Sequence, residues 1–180
     1  AIPQRRREEL RGLHVADAAE RSDHVVSHVE LRIGERRVAL KSAPDGALVA
    51  YSVKENNSDE TTTKIYDIVA GKDLSDTITG TKYSGASWTP DGSGFYYTFV
   101  PPVGGNVTTA ERPGFAEIRF HKVGTDQATD ALVHPATGSA KTFLSAGISR
   151  DGHWLLATIS HGWSSTDVKF KDARNKHAPW

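Results

Sequence analysis

Ser160, His161 and Asp167 are the residue types of a nucleophilic triad, and one short stretch of the chain holds all three. Closeness in sequence is not triad geometry. A working triad also needs donors placed for an oxyanion, and no motif for them accompanies these residues. The strand-to-helix elbow Gly-x-Ser-x-Gly, which exposes a serine for attack, occurs nowhere in the chain. Gly162-Trp163-Ser164-Ser165 begins like one, but Thr166 stands where the second glycine belongs. No catalytic residue is therefore assigned.

Metal and phosphate chemistry fare no better. His24 and His28, with Asp23 beside them, would share one face of a helix. Val25, Val26 and Val29 favour a strand instead, no third ligand follows, and no metal or other cofactor is expected. Arg5, Arg6, Arg7 and Arg11 could meet phosphates, but Glu8 and Glu9 interleave with them and make a solvated helix face. The run Asn56-Asn57-Ser58-Asp59-Glu60 reads as a polar loop whose oxygens lack the spacing of a calcium loop. There is no cysteine, so disulfide and thiolate chemistry are excluded.

The 22 Lys and Arg balance 22 Asp and Glu, so no net field draws in nucleic acid or a membrane surface. No apolar run approaches the ~18 residues of a membrane span. A soluble chain is expected, cytoplasmic or periplasmic, with nothing to decide between them. The chain starts at Ala1 and contains no Met, which suggests a processed or trimmed piece.

Composition breaks near residue 42. All 15 aromatic residues lie between Tyr51 and Trp180, and residues 1–41 also lack Thr. Within that first segment, residues 5–21 suit a short helix opposed only by Gly12. Val29–Ile33 alternates apolar and charged residues, Gly34-Glu35 can turn, and Val38–Leu40 can return as a hairpin. The expectation is an unassigned 1–41 segment of helix plus hairpin, followed by one domain over 42–180.

That domain is built on a repeat. Ser42-Ala43-Pro44-Asp45-Gly46, Thr89-Pro90-Asp91-Gly92 and Ser149-Arg150-Asp151-Gly152 each lead into a β-rich stretch. Asp-Gly suits a tight turn because glycine takes positive φ at no steric cost. The stretches that follow, such as Phe95–Phe99 and Trp154–Ile159, have the composition of strands buried on both faces. The strands before two of these turns fit Tyr83–Trp88 and Phe143–Ile148, whose small residues suit close approach to neighbouring sheets. Further strands fit at Lys64–Val69, Ala116–Val123, Ala131–Val133 and Asp167–Lys171, with Pro101–Asn106 as an inter-strand loop. Turns at these intervals suit the four-stranded blades of a β-propeller, about 40–50 residues each. A β-sandwich with Asp-Gly hairpins is the alternative, but it does not require the same flanks to recur. The fold class expected is all-β: a partial propeller of about three antiparallel blades after a short helical segment.

Within residues 43–172, the stretches PDGALVAYSVKENNSDETTTKIYDIVAGKDLSDTI, TKYSGASWTPDGSGFYYTF, RFHKVGTDQATDALV and SRDGHWLLATISHG resemble the propeller of prolyl oligopeptidases. The resemblance implies a propeller covering an α/β-hydrolase peptidase domain and admitting short proline-containing peptides to a serine-type active site. It also implies a role for Tyr83, which occupies an aromatic position facing the central cavity near the substrate residue before the proline. An aromatic packed at a blade edge is the alternative for Tyr83. The partners implied are the hydrolase domain and the peptide. Self-association of the open blades, as a binding or assembly module, is the other reading.

Overall fold

The computed structural model describes residues 31–33, 36–54, 60–104, 107–175 and 177–180. The predicted helix over 5–21, His24 and His28 lie outside them. The regular structure of the described chain is strand apart from two short 3-10 helices, and the strands form three antiparallel sheets that follow one another along the sequence.

The first sheet is β1 (Leu31–Ile33), β2 (Arg36–Ser42), β3 (Leu48–Lys54), β4 (Thr61–Asp67) and β5 (Lys72–Ile78), each paired with the next. β1 and β2 pair antiparallel, with Leu31 opposite Val38, while residues 29, 30, 34 and 35 of the expected hairpin lie outside the described residues; β2 crosses the composition break at residue 42 to join the sheet. The second sheet holds β6 (Ser87–Trp88), β7 (Gly94–Phe99), β8 (Glu117–Lys122) and β9 (Ala131–His134). The third holds β10 (Phe143–Ile148), β11 (Trp154–Ser160) and β12 (Thr166–Asp172). These are three blades of a propeller, and the Asp-Gly turns join β2 to β3, β6 to β7 and β10 to β11. Gly46, Gly92 and Gly152 have φ of 73°, 66° and 72°, the left-handed region that favours glycine. The turns also form inter-blade contacts. A Cβ on Gly152 would lie 2.5 Å from Cγ of Pro90 in the preceding blade's turn.

Burial refines the expectation that the strand after each turn is covered on both faces. This holds for β7 of the middle blade, where Phe95 and Tyr97 face one side and Tyr96 and Thr98 the other. By contrast, β11 alternates, with Leu155, Ala157 and Ile159 buried and Trp154 exposed. The difference is positional: among the described residues, only the middle blade has a neighbour on each side. Phe95, Tyr97, Trp88, Ile65 and Ile78 fill the first inter-blade core. Ile118, Leu144, Ala157 and Ile159 fill the second. The strand expected over Tyr83–Trp88 shortens to Ser87–Trp88, because Lys82 and Tyr83 sit in a turn instead.

Polar groups also cross the blade boundaries. His121 on β8 is fully buried, with Nδ1 2.8 Å from Asp130 Oδ1 and Nε2 3.0 Å from Asp76 Oδ1 on β5 of the first blade. Asp76 also accepts from the Gly124 amide at 2.6 Å, and Asp130 from the Tyr97 hydroxyl at 2.8 Å. Burial foremost, with the Asp130 carboxylate beside it, pushes the Tyr97 hydroxyl well above its ordinary range, so it stays a donor. Trp88 Nε1 donates to the Lys41 carbonyl at 3.0 Å, and Ser87 Oγ to the Ala146 carbonyl at 3.1 Å.

Removing the imidazole would strip a partner from two buried carboxylates. We expect His121→Ala to lower unfolding free energy by about 3 kcal/mol or more. His121→Phe, which keeps ring volume but not the donors, should cost a similar amount. Urea denaturation of the chain checks this. A small loss for the Phe variant would show that the ring matters for its volume alone.

Candidate functional site

The ends of β3, β7 and β11 and the starts of β4, β8 and β12 lie at one end of the blades, opposite the Asp-Gly turns. The segments entering β6 and β10 lie at the same end. There Lys82, Tyr83, Thr98, Val100, the β7–β8 loop and the start of β10 enclose an open cleft of about 380 Å³ between the second and third blades.

Tyr83 stands at this cleft with three-quarters of its surface exposed, 76%. Its φ of 65° makes it the one non-glycine residue with positive φ among those described. That conformation costs an L-residue roughly 1–2 kcal/mol and is maintained only where surrounding bonds fix it. Those bonds are present on both flanks. Thr81 is buried and its hydroxyl meets Thr63 Oγ1 at 2.9 Å and the Thr61 carbonyl at 3.0 Å. The Ser84 amide donates to the Thr81 carbonyl at 3.0 Å, and Ser84 Oγ accepts from the Thr98 amide at 2.8 Å. The Lys82 ammonium lies 5.1 Å from the Tyr83 ring centre, within cation–π range.

Phe143, half exposed at the start of β10, lines the same cleft. Sequence reading placed it only as a strand residue. Its exposure at the cleft depends on how the third blade stacks against the second, which no local pattern encodes. The other wall is the β7–β8 loop, which includes the 3-10 helix Arg112–Phe115. Arg112 is buried and donates through Nη1 and Nη2 to the two Glu60 carboxylate oxygens, at 2.6 and 2.8 Å. Its Nε donates to the Pro101 carbonyl at 2.7 Å. The hydrogen bonds from Arg112 hold the Glu60 carboxyl below its ordinary 4.5, aided by the charges of Arg112 and Lys82 and opposed by partial burial. The pair is therefore intact at neutral pH and weakens only as pH falls through that lowered value.

The triad residue types come only partly together. His161 Nε2 lies 2.8 Å from Asp167 Oδ2 across the β11–β12 turn, and both side chains are exposed. The turn is closed by the His161 amide donating to the Ser165 carbonyl at 2.8 Å, so the pair braces a hairpin. Of the run read as a loop, residues 55–59 lie outside the described residues, and Glu60 is committed to Arg112. No group of three potential metal ligands occurs among the described residues. None of the described helices is long and apolar enough to cross a membrane.

A family model described as the N-terminal beta-propeller domain of prolyl oligopeptidase matches residues 38–180. A prolyl endopeptidase of Elizabethkingia miricola is 30% identical over 131 residues, 73% of this chain and 18% of the relative. A dual-function macrocyclase-peptidase of Galerina marginata is 29% identical over 154 residues, 79% of this chain and 20% of that protein. Among solved structures, one from a study of two prolyl endopeptidases superposes with a TM-score of 0.72 at 39% identity, covering 78% of this chain and 21% of the other. Prolyl oligopeptidase B of Galerina marginata, bound to a 25mer macrocyclization substrate, superposes with a TM-score of 0.67 at 25% identity, covering 79% and 22%. The chain thus spans about a fifth of the length of the relatives it matches.

The backbone at Tyr83 yields a stability test. Tyr83→Gly should leave unfolding free energy unchanged or raise it by up to about 1 kcal/mol, since glycine removes the positive-φ cost. Tyr83→Val should lower it, because a β-branched residue tolerates that φ worst. Urea midpoints of the two variants against the parent check the order. A Gly variant clearly less stable than the Val variant would refute the strain.

Proposed function

The chain belongs to the prolyl oligopeptidase family, as part of its N-terminal β-propeller domain, and from that premise we propose that it screens and selects peptides for a serine-type prolyl peptidase. The chemistry is done by an α/β-hydrolase domain facing the propeller, and the substrates are short peptides containing proline. Tyr83 is the residue of this chain that touches the peptide, on the N-terminal side of the proline, and Phe143 completes the apolar contact.

The observation that carries this reading is the exposed Tyr83 ring, held over an open cleft by a strained backbone that buried bonds maintain. A ring serving only the fold would gain about 1.5–3 kcal/mol by burial, and this one forgoes that gain while bearing a conformational cost. Strain of this kind, kept in place by its surroundings, is typical of contact and catalytic positions. The cleft suits a peptide side chain: it has aromatic groups at Tyr83 and Phe143, aliphatic lining at Val100, Ala116 and Leu144, and hydroxyls at Thr98 and Ser145.

Among the described residues no serine or threonine hydroxyl is hydrogen-bonded to a histidine, and the exposed His161–Asp167 pair holds a turn. The purified chain should therefore leave a Gly-Pro chromogenic reporter uncleaved. Cleavage by pure material, blocked by a serine-directed inhibitor, would refute the division of labour between propeller and hydrolase.

A second reading has one observation in its favour. Trp154, Val168 and Phe170 stand exposed on the outer face of the third blade, and Trp154 and Phe170 contact each other edge to face at 5.5 Å. Exposed apolar sheet faces of this kind promote association, so copies of the chain could pair there as a binding or assembly module. Sedimentation should then give a mass that rises with concentration and falls back for Phe170→Glu. A constant monomer mass rejects it.

A further inference from the structure

Glu60, Thr61 and Thr63 lie in the first blade and line neither wall of the cleft, which opens between the second and third. Both walls are nevertheless tied to them. One wall is the turn carrying Tyr83, fastened through Thr81 to Thr63 Oγ1 at 2.9 Å and to the Thr61 carbonyl at 3.0 Å. The other is the β7–β8 loop, fastened through Arg112 to both oxygens of Glu60.

The loop has a second attachment, on the far side of the cleft. The Gly138 amide donates to the Gly114 carbonyl at 2.9 Å. A Cβ on Gly114 would lie 2.9 Å from the backbone carbon of Ser139, so the loop sits directly against the segment that leads into β10 and Phe143. The loop thus runs as a strut from the first blade to the entry of the third, and Arg112 is its pin. A guanidinium suits this task because its planar fork fixes direction as well as distance against a carboxylate.

We propose that Glu60 and Arg112 are a positioning pair, holding the β7–β8 loop so that Tyr83 and Phe143 keep a fixed spacing for the peptide. The inference rests on reading the cleft as a peptide contact. It assigns part of the selectivity to a blade that does not touch the peptide. The Glu60 side chain is 44% exposed while Arg112 is 3% exposed. Neutralising Glu60 therefore disturbs the pin with little burden on the core, whereas truncating Arg112 risks the fold.

Glu60→Gln is accordingly the primary variant, with Arg112→Lys, which keeps the charge and loses the fork, as the second. Two readouts on the isotope-labelled chain separate positioning from general stability. The first is amide hydrogen exchange without ligand. Exchange over residues 109–116 should rise by about tenfold in Glu60→Gln while β11 stays protected. The second is titration with acetyl-Ala-Gly-Pro-amide, followed through the amides of Tyr83 and Leu144. Weak binding should show there in the parent chain and weaken by about tenfold in both variants. Unchanged exchange over 109–116, or unchanged peptide response despite faster exchange, overturns the proposal. A parent chain whose Tyr83 and Leu144 amides ignore the peptide overturns the functional reading of the cleft instead. Exchange alone then decides whether the pair holds the loop.

Discussion

A blade of four twisted strands has two apolar faces and cannot bury either by itself, so each sheet here is stable only through the sheet beside it. The first boundary shows how the requirement is met. Phe95, Tyr97 and Trp88 of the second blade interlock with Ile65 and Ile78 of the first, and the aromatic rings meet edge to face at 5.0 and 6.1 Å. Apolar packing alone leaves sheets free to slide, because it is not directional. The buried His121 supplies direction. Held between Asp76 of one blade and Asp130 of its own, it fixes the relative height of the two sheets by hydrogen bonds that sliding would break. Among the described residues Asp76 Oδ2 is buried without a hydrogen-bond partner, and sliding would leave further buried groups unpaired at a cost, which favours the correct stacking over its near neighbours.

Once that height is fixed, the end of the blades that carries the cleft is fixed too. Thr61 and Thr63 sit at the start of β4, the strand paired with β5 and so with Asp76. Their bonds to Thr81 place the turn at Tyr83 relative to the first blade. The Thr98 hydroxyl reaching the Leu144 carbonyl at 3.2 Å carries the same alignment across to the third blade, one residue beyond Phe143. Tyr83 and Phe143 are thus placed by different blades through a common series of bonds. A residue placed this way depends on stacking more than on its own local sequence.

That dependence explains what the sequence disclosed and what it withheld. Asp45-Gly46, Asp91-Gly92 and Asp151-Gly152 were legible because a turn with positive φ constrains its own two residues, and the constraint is written locally. The strands at β4, β8 and β12 followed from local composition in the same way. Tyr83–Trp88 misled as a strand because small and aromatic residues suit an extended chain equally well in a turn braced from outside. The pairings of Glu60 with Arg112, 52 residues apart, and of Asp76 with His121, 45 apart, left no local trace. An acidic residue in a polar loop and a histidine in a strand both have ordinary solvated or packed explanations, and only the stacking of sheets tells them apart. Phe143 went unassigned for the same reason.

The Tyr83 turn then shows why such a site tolerates being poorly stabilised. The positive φ costs roughly 1–2 kcal/mol, and the exposed ring forgoes the gain of burial besides. Total stabilities of single domains are about 5–15 kcal/mol, so the cost is bearable only if the neighbouring bonds are secure. Thr81 and Ser84 supply them on either side of the strained residue, and Thr81 draws its own support from the first blade. Strain at Tyr83 and rigidity at the blade boundary are for that reason complementary: loosening the boundary would let the turn relax, and the ring would lose its place over the cleft.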